Sequence, residues 1–128
     1  MFKGIHHVAI ICSDYQRSKD FYTQVLGFTV IAEHFRETRQ SYKLDLALPD
    51  GSQIELFSFP NPPARPNHPE AQGLRHLAFV VENVEEEKQR LERLGIEVEP
   101  VRIDPYTERY FTFFQDPDGL PLELYQEA

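Results

Sequence analysis

Asp116-Pro-Asp-Gly-Leu-Pro-Leu-Glu-Leu124 repeats, 68 positions later, the stretch Leu48-Pro-Asp-Gly-Ser-Gln-Ile-Glu-Leu56. Each copy reads as a Pro-Asp-Gly turn running into a short strand that holds one Glu between two aliphatic residues. Neighbours along a strand point to opposite faces. Ile54 and Leu56 therefore go one way and Glu55 the other, and Leu122 and Leu124 oppose Glu123 in the same manner. With the aliphatic side on a core, each carboxylate looks out of the other sheet face. A second echo supplies partners: His7-Val-Ala-Ile recurs as His76-Leu-Ala-Phe, 69 positions on. Each half thus offers one His and one Glu, 48 positions apart in the first half and 47 in the second. Two halves built alike, each giving a nitrogen and a carboxylate ligand, can make a four-ligand metal site.

The chain has 128 residues, enough to bury a real core as one compact unit, and the repeat divides that unit into two half-size modules. Hydrophobic residues make up 41% and charged residues 27%, the balance of an ordinary globular chain. A formal net charge of −8 argues against nucleic acid or an anionic membrane as partner and leaves a small-molecule substrate open. Cys12 is alone, so no internal disulfide forms, and its apolar run Val8-Ala-Ile-Ile-Cys12 marks it as a core residue. No long apolar stretch precedes Asp14 and Arg17, so no signal peptide is expected. No stretch approaches the ~20 apolar residues of a membrane-spanning helix either. The expected location is cytoplasmic.

Working outward from the two repeated strands, the first module spans residues 1–58. Residues 5–12 alternate as a strand with His7, Ala9 and Ile11 on one face and Val8, Ile10 and Cys12 on the other. Ser13 and Asp14 offer N-cap side chains. Ser18, Phe21, Tyr22 and Val25 form a helical stripe closed by Gly27. Strands are predicted at about 28–35, 42–48 and 52–58. Residues 59–73 carry five prolines and read as a stiffened linker containing a solvated His68. The second module, 74–128, repeats the plan. A strand runs from Leu74 to Val81, and Asn83 with Glu86 caps a helix whose stripe is Val84, Lys88, Leu91 and Leu94. Gly95 ends that helix, and strands follow at about 96–102, 109–115 and 120–125. The acidic run Glu85-Glu86-Glu87 reads as a solvated first turn.

Two imidazoles and two carboxylates are borderline-to-hard donors. With room left for water they suit one divalent metal per site, Zn²⁺, Ni²⁺, Co²⁺, Mn²⁺ or Fe²⁺. No thiolate joins the set, which speaks against a closed structural zinc. Inward-facing Glu55 and Glu123 are costly to bury unpaired, and a cation removes that cost. Open positions imply Lewis-acid or metal–water chemistry.

The doubled βαβββ plan, His6-His7-Val-Ala-Ile10, the Asp14…Ser18…Phe21-Tyr22…Leu26-Gly27-Phe28 helix, Ile54-Glu55-Leu56, Arg75-His76-Leu77-Ala78-Phe79 and Asp116-Pro-Asp-Gly…Leu122-Glu123-Leu124 together resemble the vicinal oxygen chelate superfamily, over nearly the whole chain. That resemblance places the metal ligands on His7, Glu55, His76 and Glu123, as in bacterial glyoxalase I (lactoylglutathione lyase). Extradiol dioxygenases of the superfamily lack an equivalent of Glu55, and methylmalonyl-CoA epimerases commonly carry Gln there. Antibiotic-sequestering members generally lack the metal set. Glyoxalase I typically holds the glutathione carboxylates with an Arg on the first strand and an Asn after the first Glu strand. By spacing, this chain has Ile11 and Phe59 at those places, so the resemblance carries the metal chemistry further than the glutathione substrate. Arg36, Arg39, Arg102 and Arg109 remain as anion anchors, against the commoner use of Arg as a surface cation. Tyr106, Tyr110, Phe111 and Phe113 can wall a pocket, although core packing is the ordinary use of most such residues.

The fold expected is α+β: two tandem βαβββ modules, each sheet curling, with the ligands on the concave face of a metal cup. The resemblance implies a glyoxalase I-like lyase or isomerase, working as a homodimer on a substrate chelated through adjacent oxygens. It also implies that Glu123, or Glu55, takes the C–H proton and returns it to the neighbouring carbon while the cation stabilises the developing charge. The competing readings are another metal-dependent member of the superfamily (an Fe(II) dioxygenase, an epimerase or a thiol transferase) and a non-catalytic protein that keeps a small ligand in the cup.

Overall fold

In a computed structural model describing residues 1–128, the chain divides into two units, Met1–Ala64 and Arg65–Ala128. Each has the order β-α-β-β-β. Unit one contains β1 (His7–Cys12), α1 (Tyr15–Asp20), β2 (Thr29–Arg36), β3 (Ser41–Ala47) and β4 (Gln53–Ser58). Unit two contains β5 (Leu77–Val81), α2 (Val84–Arg93), β6 (Arg102–Ile103), β7 (Tyr110–Gln115) and β8 (Pro121–Gln126). The fold is α+β, with two four-stranded mixed sheets ordered β1-β4-β3-β2 and β5-β8-β7-β6. In both sheets the strand that carries the Glu lies parallel to the first strand of its unit and antiparallel to the third.

The repeated turn feeds both Glu strands on one backbone plan, with Gly51 N donating to the Leu48 carbonyl and Gly119 N to the Asp116 carbonyl, each at 3.0 Å. Asp50 Oδ1 accepts from Ser52 N at 2.9 Å, and Gly51 takes φ +89°, a left-handed conformation open to Gly without strain. The second copy keeps the left-handed glycine, Gly119 at φ +83°, but moves the side-chain acceptor to the place of Leu48, where Asp116 Oδ1 accepts from Asp118 N and Leu120 N, each at 2.9 Å. Each strand then buries its aliphatic pair, Ile54 and Leu56 in β4 and Leu122 and Leu124 in β8. Unit one completes its core with Ile10, Cys12, Phe21, Tyr22, Leu44 and Leu46. Unit two adds Val84, Leu91, Val98, Phe114 and Leu120. Cys12 is buried with its thiol 3.3 Å from the Phe57 carbonyl, as its apolar run predicts.

The helix ends follow their caps. Asp14, rather than Ser13, is the N-cap of α1 and accepts from Arg17 N at 3.1 Å, and Asn83 caps α2 through Glu86 N at 3.1 Å. After α1 the chain widens into a π-helical turn over Phe21–Val25, which keeps Phe21 and Tyr22 buried before Gly27 reverses the chain at φ +81°.

Four local expectations change. The strand expected over 96–102 shrinks to Arg102–Ile103. Pro100 has no N–H to give a ladder, and the Thr112 hydroxyl takes up the Glu99 carbonyl at 2.7 Å instead. β5 begins at Leu77, leaving His76 just outside its first residue. Leu94, assigned to the stripe of α2, is exposed because the helix ends there, and Leu91 covers the core alone. Tyr106 and Tyr110 do not pack in the core. Tyr106 lies in the β6–β7 connection at 94% exposure, and Tyr110 opens β7 on its solvent side.

Truncation at the centre of either repeated strand tests this organisation. Leu56→Ala or Leu122→Ala is expected to cost about 2–5 kcal/mol of unfolding free energy, because both side chains are fully buried. Leu94→Ala is expected to stay within about 0.5 kcal/mol in the same denaturant titration.

Candidate active site

Alternation along β4 and β8 turns Glu55 and Glu123 away from the aliphatic core, yet neither carboxylate reaches open water. Their side chains are 13% and 12% exposed. Glu55 lies opposite Ala9 of β1 and Asp45 of β3, and Glu123 lies opposite Ala78 of β5 and Phe113 of β7. A small residue at Ala9 and Ala78 leaves room for the His two positions earlier to lean over. His7 Nδ1 stands 3.4 Å from Glu55 Oε2, and His76 Nε2 stands 3.1 Å from Glu123 Oε1. Each unit therefore brings together its own His and Glu from the predicted set. Within each unit the donors come as this pair, and no third His, Cys, Asp or Glu completes a cluster around either.

The donor chemistry fits a divalent cation. Two N or O ligands ~2.0–2.2 Å from one ion, at tetrahedral to octahedral angles, stand about 3.0–3.5 Å apart. Both His–Glu pairs already have that spacing. The pairs differ in the nitrogen they present. His7 also meets His6, Nδ1 to Nδ1 at 2.9 Å, so one of those two nitrogens donates and the other accepts.

The two halves differ more in what surrounds the carboxylates. Lys43 Nζ lies 2.7 Å from Asp45 Oδ1 and 3.7 Å from Glu55 Oε1, so Glu55 belongs to a charged cluster. The hydrogen bond that Lys43 donates to the Asp45 carboxylate holds the ammonium above its ordinary pKa. At the matching places of the second half stand Phe111 and Phe113. Phe113 meets the His76 ring edge-on, centroids 5.0 Å apart. Burial there pushes the Glu123 carboxyl above its usual range, and neighbouring His76 pulls in the opposite direction without cancelling the effect. Sequence reading missed Lys43 and Asp45, although strand alternation puts both on the face of Glu55.

The four arginines offered as anion anchors all rest on aromatic rings. Arg36 lies over Phe57 at 5.3 Å and Arg39 over Phe59 at 5.0 Å. Arg102 lies over Phe111 at 4.9 Å and Arg109 over Tyr125 at 6.0 Å. Tyr125, on the Glu123 side of β8, donates to Asp104 Oδ2 at 2.8 Å and also meets the Thr107 hydroxyl, which ties the β6–β7 connection to that strand.

A repeated βαβββ unit, each copy presenting one imidazole–carboxylate pair, is the architecture of the glyoxalase class. The family model described as Glyoxalase/Bleomycin resistance protein/Dioxygenase superfamily matches residues 4–124, and the chain belongs to that superfamily. It is 60% identical to the uncharacterized protein YwkD of Bacillus subtilis, over 99% of both chains. The crystal structure of a glyoxalase family protein from Enterococcus faecalis is 53% identical, covers 97% of this chain and 98% of its own, and superposes with a TM-score of 0.91. The fold alone extends to FosX, the fosfomycin resistance protein of Listeria monocytogenes, at 20% identity and a TM-score of 0.72, over 98% of this chain and 90% of that one.

The raised Glu123 carboxyl gives a signed pH effect. The folded chain holds that proton more tightly than the unfolded chain does. The corresponding stability is fully present below the ordinary glutamate value of 4.5 and is lost as pH rises through the raised one. In chelator-treated protein, Glu123→Gln is therefore expected to raise unfolding stability at neutral pH and to leave it unchanged at about pH 4. Equal shifts at both pH values in chemical denaturation would reject this environment for Glu123.

Proposed function

We propose that this protein is a metal-dependent lyase or isomerase of the glyoxalase I type. His7, Glu55, His76 and Glu123 are the donors for one divalent cation (Zn²⁺, Ni²⁺, Co²⁺, Mn²⁺ or Fe²⁺) per site, and the working form is a cytoplasmic homodimer. The observation that carries the reading is the pair of nearly buried carboxylates, each with an imidazole nitrogen at ligand-pair spacing. A desolvated carboxylate such as Glu123 is an energetic liability without a cation. FosX, similar in fold, was crystallised as a variant complexed with Mn(II) and 1S,2S-dihydroxypropylphosphonic acid, which supports divalent-metal chemistry on this scaffold.

A bound cation supplies Lewis-acid polarisation of two adjacent substrate oxygens. The remaining work falls to the chain. Glu123 acts as the base. Its aromatic surroundings exclude water and raise its proton affinity, so it takes a proton from a C–H bond beside a carbonyl more readily than an exposed carboxylate would. The same oxygen then returns the proton to the neighbouring carbon, which completes an isomerisation with no net change in charge. His76, 3.1 Å away and fixed edge-on by Phe113, orients that carboxylate. Glu55 sits beside Lys43 and Asp45, in a charged setting that suits a ligand more than a base. Ile11 and Phe59 give no partner for a glutathione carboxylate, which favours an α-hydroxy-ketone or another thiol adduct over a glutathione one.

Elemental analysis of the purified protein is expected to find one metal per proposed site. In a solvent-deuterium exchange assay over candidate hemithioacetals, Glu123→Gln is expected to keep metal at reduced affinity and to lower turnover by about 10²-fold or more. Unchanged turnover removes Glu123 as base. Oxygen uptake dependent on Fe²⁺ moves the assignment to a dioxygenase, and ligand binding that survives chelation without turnover moves it to a binding protein.

A further inference from the structure

The stretch expected to be a stiffened linker is, from Arg65 on, a wall of unit two. Arg65 Nε donates to Asn67 Oδ1 at 2.6 Å, and its Nη2 donates to the Leu74 and Arg75 carbonyls at 3.3 and 3.4 Å. Asn67 Nδ2 in turn donates to the Gly119 carbonyl at 2.7 Å, in the repeated turn that feeds β8. These bonds enclose a cavity of about 250 Å³ against His76 and Phe113. Arg65, Arg75 and Arg102 line it, with Glu70 and Glu99 as the only carboxylates. In a chain of net charge −8, this cavity gathers more fixed positive than negative charge.

The three guanidiniums are in different states. Arg65 is spent on the wall itself. Arg102 pairs with Glu99 at 3.2 Å and lies over Phe111 and Phe113 at 4.9 and 5.7 Å. Stacking occupies the face of a guanidinium and leaves its in-plane N–H donors usable. Arg75, next to His76, makes no side-chain hydrogen bond or ion pair and stands exposed at the cavity. A planar donor fork without an acceptor, beside a second that only a solvent-exposed carboxylate engages, matches the oxygens of a carboxylate or phosphonate.

We propose that this cavity is an anion subsite, in which Arg75 and Arg102 take the carboxylate, phosphate or phosphonate of the substrate and Asn67 and Phe113 form the walls. The volume is below the ~300 Å³ at which drug-sized ligand pockets begin, so the anionic tail is short. The inference deepens the proposed function: the reactive oxygens lie on the His76–Glu123 side, and the substrate is a small organic anion. Arg75 and Arg102 are specificity residues and take no part in the proton transfer.

The test uses the full chain after chelator treatment, so its outcome does not depend on metal loading or turnover. Methylphosphonate, acetate and neutral acetamide are titrated while the backbone amides of residues 65–76 and 119 and the Arg Nε–H groups are followed by NMR. Methylphosphonate and acetate are expected to give saturable shifts around Arg75, Arg102 and Gly119 with millimolar affinity, and acetamide none. Arg75→Gln with Arg102→Gln is expected to weaken methylphosphonate binding by roughly tenfold or more. Arg75→Lys retains part of the binding, and the exposed Arg17→Gln leaves it unchanged. No saturable shift at about 50 mM anion, equal shifts with acetamide, or binding indifferent to both substitutions overturns the subsite. Chelator-independent anion binding in a protein that takes up no metal would separate failure of the metal reading from failure of this one.

Discussion

A carboxylate held out of water by its own strand is the constraint on which the structure turns. β4 and β8 each lock an aliphatic pair into a core, and that lock fixes Glu55 and Glu123 on the other face with little freedom to retreat. A one-residue slip of either strand would send a carboxylate into the core and an aliphatic residue to the ligand face, so register and site chemistry are one requirement. The turn before each strand sets that register through a left-handed Gly and an Asp side chain, Asp50 inside the first Pro-Asp-Gly and Asp116 just ahead of the second. The parallel neighbour then contributes Ala9 or Ala78 opposite the Glu, and the His two positions earlier is the group that can cross the gap.

From this shared frame the two halves have diverged in a chemically coherent way. The residues opposite and diagonal to Glu55 on β3 are Asp45 and Lys43, and the matching residues on β7 are Phe113 and Phe111. One carboxylate is solvated by fixed charges and the other by rings. In the proposed reading the charged one stays a ligand and the desolvated one moves the proton. The division comes from side chains at only two positions per half, with no change in backbone plan.

The repeat made most of this legible in the sequence. The doubled Glu strands, the caps at Asp14 and Asn83, the helix-ending glycines and the paired His and Glu all stand at the places their spacing indicates, because each rests on a local rule of alternation, capping or turn chemistry. What escaped depended on longer-range competition. Pro100 interrupts a run that is otherwise strand-like, and a threonine hydroxyl on a neighbouring strand replaces the missing ladder bond. Leu94 fits the helical stripe by count, but the helix stops beneath it. Tyr106 and Tyr110 belong to an aromatic cluster by composition, yet their strand and turn place them facing water. Lys43 and Asp45 were readable from strand alternation, but their value appears only when β3 is known to lie against β4.

The Pro-rich stretch carries the furthest consequence of that kind. Five prolines in fifteen residues describe stiffness and say nothing of where the stiff chain lies. Stiffness lowers the entropy lost on docking, so a few hydrogen bonds suffice to fix such a segment where a flexible one would fray. Here Arg65 and Asn67 supply them, and Asn67 closes on the Gly119 carbonyl. At that glycine an added Cβ would stand 3.5 Å from the Asn67 amide, an ordinary contact, so the left-handed φ rather than crowding makes the position a glycine. The turn that sets the register of the Glu123 strand is thus also the anchor for the wall beside His76, and the position of Glu123 and the shape of the neighbouring cavity are fixed by one short loop.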